Sequence, residues 1–198
     1  MGWDINVYRV DFERLLQVHG CRSEQLLQQI VSSCGLDEPR EAGDDDEDYD
    51  EGDAPLAAKQ ALRNILFDEV TDKTLDLGYG DAMAAIYQEL AAEYIGDLRV
   101  AAFGITSFFS AVDAVLAERG FPDYLSNLVM GGCPTAVPVE SDGALGFLPP
   151  SDCERFAREY ARHNWDAVEP EIRETVDDLL MWCTAAAKHG HGLVSLGG

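Results

Sequence analysis

The chain begins and ends on short segments of strand character, and almost everything between them has the period of amphipathic helix. Trp3-Asp4-Ile5-Asn6-Val7-Tyr8-Arg9-Val10 alternates apolar and polar side chains as far as Tyr8, which predicts a half-buried strand. Leu193-Val194-Ser195-Leu196 predicts a second, closing strand. Two isolated strands cannot bury an apolar face by themselves. The economical arrangement pairs them in one small sheet covered by helices, giving a single mainly helical α+β domain over residues 1–198.

The helices announce themselves by period and punctuation. Asp11 is placed to cap a short helix carrying Phe12, Leu15 and Leu16 before Gly20, and Ser23 to cap one carrying Leu26, Leu27, Ile30, Val31 and Cys34 before Gly35. Pro55 opens a helix through Leu62, Ile65 and Leu66. Gly78-Tyr79-Gly80 reads as a tight turn with Asp81 capping a helix that carries Met83, Ile86, Tyr87, Leu90 and Tyr94 and ends at Gly96. Further helices are expected from Ser107 to Gly120, from Pro122 through Val129, and from a capping box at Ser151-Asp152-Cys153-Glu154. The longest starts at Pro170 and carries Val176, Leu179, Leu180 and Cys183. Residues 131–150, with four prolines and four glycines, read as ordered irregular chain.

Charge divides the chain further. Residues 37–53 hold eleven acids and one base, with too few apolar groups to offset ordering entropy, so about 36–54 is expected to form a flexible acidic loop. Removing that tract's net −10 from the total of −23 leaves −13 on the other 181 residues, so the folded part is acidic as well. Such a surface repels nucleic acid and anionic membrane and attracts a basic protein, with an on-rate that falls as salt rises. No apolar run approaches the roughly 20 residues of a membrane span. The N-terminus lacks the basic start and apolar stretch of a secretory signal. Five cysteines without close pairing suit a reducing compartment. Together these give a cytoplasmic protein as the expectation.

Few residues are placed for chemistry. His189-Gly190-His191 is the one metal-like spacing, and it needs ligands from elsewhere that no CxxC or HExxH motif supplies. Cys133, in a Gly-Gly-Cys-Pro turn, is the candidate nucleophile, with His163 or His189 as its candidate base. Gly78-x-Gly80 suggests a phosphate cradle, but Met83 stands where a third glycine belongs and Asp81 brings negative charge. No cofactor is expected.

Three stretches resemble a bacterial family of unknown function related to the YfbM-like proteins. They are Gly2-Trp3-Asp4-Ile5-Asn6-Val7-Tyr8-Arg9-Val10-Asp11 at the start, Trp182-Cys183-Thr184-Ala185-Ala186-Ala187-Lys188-His189-Gly190 leading into Leu193-Val194-Ser195 at the end, and Gly78-Tyr79-Gly80-Asp81-Ala82-Met83 between them. The last is similar to that family's YGYALE-type segment, from which Asp81 and Met83 depart. Gly132-Cys133-Pro134 and Gly146-Phe147-Leu148 are similar to its Gly-x-Pro and Ile-Gly-x-Leu elements. The resemblance implies a compact α+β fold and no established activity. Some small acidic bacterial families of this kind are similar to immunity proteins that neutralise a toxin, a likeness of class with no residues attached.

Two functional readings follow. The first is a non-enzymatic acidic binding protein, in the manner of an immunity-type inhibitor of a basic protein. The alternative is a small enzyme or biosynthetic accessory protein with a pocket near the glycine turns at 78–80 and 131–134, lined by Tyr79, Asp81 and Cys133.

Overall fold

The structure is a computed structural model that describes residues 2–36, 57–70, 77–101, 105–135, 137 and 144–197. The acidic tract expected as a flexible loop lies, from residue 37 on, outside the described residues, as do Pro55 and Leu56.

The two ends of the chain pair as expected. Strand β1 (Gly2–Val10) runs antiparallel to β4 (Gly192–Gly197), with Val7 opposite Ser195 and Tyr8 opposite Val194. Two further strands extend the sheet: β2 (Ala91–Ala101) on the far side of β1, and β3 (Leu145–Leu148) beyond β4, in the order β2-β1-β4-β3. Both depart from the sequence reading. The segment around Tyr94 and Gly96 is strand rather than the end of a helix, because nine paired positions with β1 outweigh the helical preference of Ala91-Ala92-Glu93. Leu145–Leu148 is strand rather than irregular chain for the same reason, its partner being the last strand of the protein.

Each half of the chain covers one face of this sheet. Helices α1 (Phe12–Leu16), α2 (Glu24–Cys34), α3 (Ala58–Phe67) and α4 (Leu77–Leu90) pack with Val10, Leu145 and Val194 in one core. Helices α5 (Ile105–Ala117), α6 (Tyr124–Met130), α7 (Pro150–Glu159) and α8 (Pro170–Ala187) pack with Ile5, Val7, Leu148 and Leu193 in the other. Strand alternation explains the sorting, since Leu193 and Val194 are neighbours in sequence and point to opposite cores.

Helix starts were legible where a side chain caps its own helix. The Asp11 carboxylate accepts from the N–H groups of Glu13 and Arg14, and Ser23 Oγ accepts from Leu26 N–H at 3.1 Å. Elsewhere the cap differs from expectation. α7 starts two residues early on Pro150, so Ser151 does not cap it; proline at the first position costs no hydrogen bond there. α4 starts at Leu77, which makes Gly78-Tyr79-Gly80 its first turn rather than a tight turn, with Asp81 inside the helix. The N-terminus of α6 is capped from another helix: the buried Asp113 of α5 accepts from Leu125 N–H and Ser126 N–H, both at 2.9 Å.

α6 lies directly against the sheet. A Cβ at Gly146 would stand 2.2 Å from the Leu128 carbonyl oxygen, so only glycine admits the helix backbone here. The paired residue across the strand, Ser195, donates its hydroxyl to that same carbonyl. One position makes room for the helix and its neighbour satisfies the buried acceptor that results.

Two substitutions test this docking. Asp113→Ala removes two charge-assisted bonds to a helix N-terminus and should cost about 1.5–3 kcal/mol. Gly146→Ala should destabilise by at least about 1–3 kcal/mol, because the obstacle is backbone and cannot rotate aside. Urea unfolding of each variant against the parent measures both losses; an unchanged midpoint for either would contradict the contact assigned to it.

Candidate functional site

The residues singled out from sequence do not converge. Cys133 belongs to the core beneath α1–α4, whereas His163 stacks edge-on against Phe121 (5.6 Å between centroids) in the opposite core. The half-buried Cys133 thiol is surrounded by acceptors, with Thr135 Oγ1 at 3.2 Å and the Val137 carbonyl at 3.5 Å, and His163 is not among its neighbours. The sheet separates the proposed nucleophile from its proposed base.

The segments at 78–80 and 131–134 do lie on one side of the molecule, joined through α4. Tyr87 donates its hydroxyl to the Gly132 carbonyl at 3.3 Å, and burial pushes its pKa well up. Tyr79 is buried, its hydroxyl accepting from Asn64 Nδ2, while Asp81 is exposed. Tyr79 and Asp81, two positions apart on a helix, therefore face different surroundings. His189 and His191 stand 5.8 Å apart between ring centroids at the end of α8, His189 exposed and His191 with its Nδ1 buried and without a hydrogen-bond partner among the described residues. Among the described residues no group of three or more His, Cys, Asp or Glu is placed to hold a metal, and no helix is long and apolar enough to cross a membrane.

Much of the charge on α7 and α8 is spent on the fold. Trp165 is sandwiched between the Tyr160 ring, stacked at 4.8 Å, and the Arg119 guanidinium at 4.8 Å. Tyr160 donates to Asp177, which also accepts from Arg173 Nε at 3.0 Å. Burial first, then the Asp177 carboxylate, push the Tyr160 hydroxyl up to about 12. Immediately before Tyr160 in the chain, the Glu159 carboxyl is held below its usual range, chiefly by its bond from Arg158 and then by Arg155 and Arg162 nearby.

The acids one step around α8 are different. Glu174, Asp178 and Met181 follow one another at helical spacing, and among the described residues neither carboxylate meets a cation or a hydrogen-bond donor. α8 crosses β2 at this point: Trp182, one turn beyond Asp178, occupies the space a Cβ on Gly96 would take, 2.3 Å from its Nε1. Asp97 is the next residue of β2 and accepts from the Tyr94 hydroxyl at 2.9 Å. Asp178 is consequently raised above its ordinary 3.8, first by partial burial and then by Glu174, Asp177 and Asp97. Met181 and Tyr94, at 54% and 52% exposure, are two of the large apolar side chains left open to solvent, and they flank this cluster. In the sequence Glu174 and Asp178 are indistinguishable from the chain's other acids. The approach of Asp178 to Asp97 needed β2, which was read as helix.

A family model described as a domain of unknown function (DUF7691) matches residues 1–197. No curated protein and no solved structure matches the chain. The likeness to the YfbM-like proteins has no match behind it in these comparisons.

Like-charge crowding makes a signed prediction. Because Asp178 has a raised folded-state pKa, its contribution to stability is fully present below its unfolded value near 3.8 and is lost as pH rises through the higher folded value. Asp178→Asn should therefore raise the melting temperature at pH 7, with the gain shrinking as pH falls and vanishing near pH 3. Thermal melts of both proteins across that range test it; a variant less stable at pH 7 would mean that Asp178 has a favourable partner.

Proposed function

We propose, from the premise that the chain belongs to the family described as a domain of unknown function (DUF7691), that it is a non-enzymatic binding protein whose acidic edge at α8 and β2 engages a basic protein. The observation that carries this reading is the pair of carboxylates on Glu174 and Asp178, one helical turn apart on α8, where Asp178 is raised by partial burial and by its acidic neighbours, while Asp113 and Asp177 are compensated by donors. Like charges placed together without a structural partner cost stability, and an incoming cation relieves that cost. Met181 and Tyr94 beside them supply the apolar anchors that charge alone does not, since a few buried anchors dominate interface energy. An immunity-type inhibitor of a basic toxin is the form of this function that the overall acidity and the cytoplasmic expectation favour.

The alternative of an enzyme with a pocket at 78–80 and 131–134 draws support from one contact, Tyr87 to Gly132. The separation of Cys133 from His163 weakens it, because a nucleophile needs its base within hydrogen-bond reach.

The test compares two double variants of equal charge change. Glu174→Lys with Asp178→Lys reverses the edge, and Glu13→Lys with Glu154→Lys reverses exposed acids elsewhere. Titration with a lysine- and arginine-rich peptide at about 50 mM salt should show the first weakening binding by about tenfold more than the second. Raising salt should weaken parental binding. Equal losses in the two variants would reduce the effect to net charge and overturn the assignment of the edge.

A further inference from the structure

Among the described residues three buried side-chain nitrogens lack a hydrogen-bond partner: Nε of Arg9, Nε1 of Trp182 and Nδ1 of His191. They belong to three separate segments, and the fold brings all three to the face of the sheet beneath the C-terminal end of α8. Arg9 stands opposite Leu193 of β4, and cross-strand partners share a face, so its side chain lies on the side of the core that holds Val7 and Leu193. Trp182 lies over Gly96, whose partner Val7 is two residues before Arg9 on that same face. His191 is two residues before Leu193, the diagonal place beside Arg9, and its backbone N–H is bonded to the Ala186 carbonyl, one turn beyond Trp182. The two register shifts of the β1–β2 ladder, between Val7 and Tyr8 and between Arg9 and Val10, bracket Arg9. Bulges of this kind re-aim side chains and are common beside functional sites.

We propose that Arg9, Trp182 and His191 form a binding site for a small oxyanion, a carboxylate or phosphate group that accepts from their three N–H donors. Arginine and indole can only donate, and imidazole donates from Nδ1 in one of its tautomers. The carbonyls at this helix end are already engaged, since Thr184, Ala186 and Ala187 accept from the backbone N–H groups of Lys188, His189, Gly190 and His191. Glu93, itself mostly exposed, holds Arg9 Nη2 at 3.2 Å, which orients the guanidinium and leaves its Nε to the interior. Trp182 is essentially without solvent contact, so its indole N–H has no water to fall back on. Buried donors without acceptors are costly, and three gathered in one place call for an acceptor that serves them together. An anion suits Arg9 best, because a charged donor and a charged acceptor make the stronger bond. The Glu93 carboxylate opposes that anion and limits its affinity. The site does not depend on the acidic edge, whose partner is a cation.

The experiment titrates the full chain, labelled with 15N, with sodium phosphate and separately with sodium acetate, ionic strength being held constant with sodium chloride. The Trp182 indole N–H, sequentially assigned, should shift saturably with at least one of the two. The Trp165 indole, which already donates to the Tyr160 carbonyl at 2.9 Å, should stay in place. A response to phosphate alone assigns the site to a phosphorylated ligand, and a response to acetate alone to a carboxylate. Arg9→Gln should weaken the anion by about tenfold, whereas Glu93→Gln should bind it at least as tightly as the parent. The parent titration needs no variant, so the site is tested even if Arg9→Gln does not fold. No saturable shift with either anion overturns the site, as do equal shifts at Trp165 and Trp182 or an affinity unchanged in both Arg9→Gln and His191→Phe. Failure of basic peptides to bind the acidic edge leaves each of these readings as it stands.

Discussion

Everything in this fold hangs on β1, the strand with a neighbour on each side and a core on each face. Val7 packs into one core and Val10 into the other, both essentially without solvent contact, and the ladder to β4 brings residues from the two ends of the chain side by side. The partner of Val7 is Ser195, so this pairing closes a loop of nearly the whole protein. Closure of that kind is costly in entropy and slow to find, and it is offset only when both cores assemble around it. The sheet is small because it has one task, to hold two sets of helices apart and give each a floor.

That arrangement decides which charges are informative. In a chain with 37 acidic residues, composition cannot distinguish a carboxylate that builds the fold from one that is displayed. Packing makes the distinction. Asp11 and Asp113 cap helices, and Asp177 is bound by Tyr160 and Arg173. Glu174 and Asp178 have no such occupation among the described residues, and the crossing of α8 over β2 brings Asp178 within reach of the Asp97 charge. Overall acidity is a property of the chain, whereas an acidic edge is a property of the crossing.

Much of the fold was legible before any coordinates. α1 and α2 were, because Asp11 and Ser23 cap from adjacent residues and Gly35 stops α2 in the left-handed region, φ 68°. The two terminal strands and their pairing were, because alternation at one end and a short apolar run at the other had no other way to be buried. β2 was not, since Ala91-Ala92-Glu93 follows α4 with no breaker and its strand form depends on β1, some ninety residues earlier in the chain. The cap of α6 was hidden for the same kind of reason: Asp113 is twelve residues from Leu125, outside any local motif. The candidate site inherited these limits. Cys133 and His163 looked compatible as a pair only while the sheet between their two cores was unknown, and Tyr94 looked like part of a helix stripe.

By itself the sequence determined the class of fold, the positions of most helices, the pairing of the chain's ends and the excess of negative charge. These depend on local period, local capping and composition, which act over a few residues or over the chain as a whole. Tertiary structure alone decided the extent of the sheet, the opposite placement of Cys133 and His163, and the approach of Asp178 on α8 to Asp97 on an edge strand. Each of those is a contact between segments remote in sequence, and no residue records the neighbour that only the folded chain brings to it.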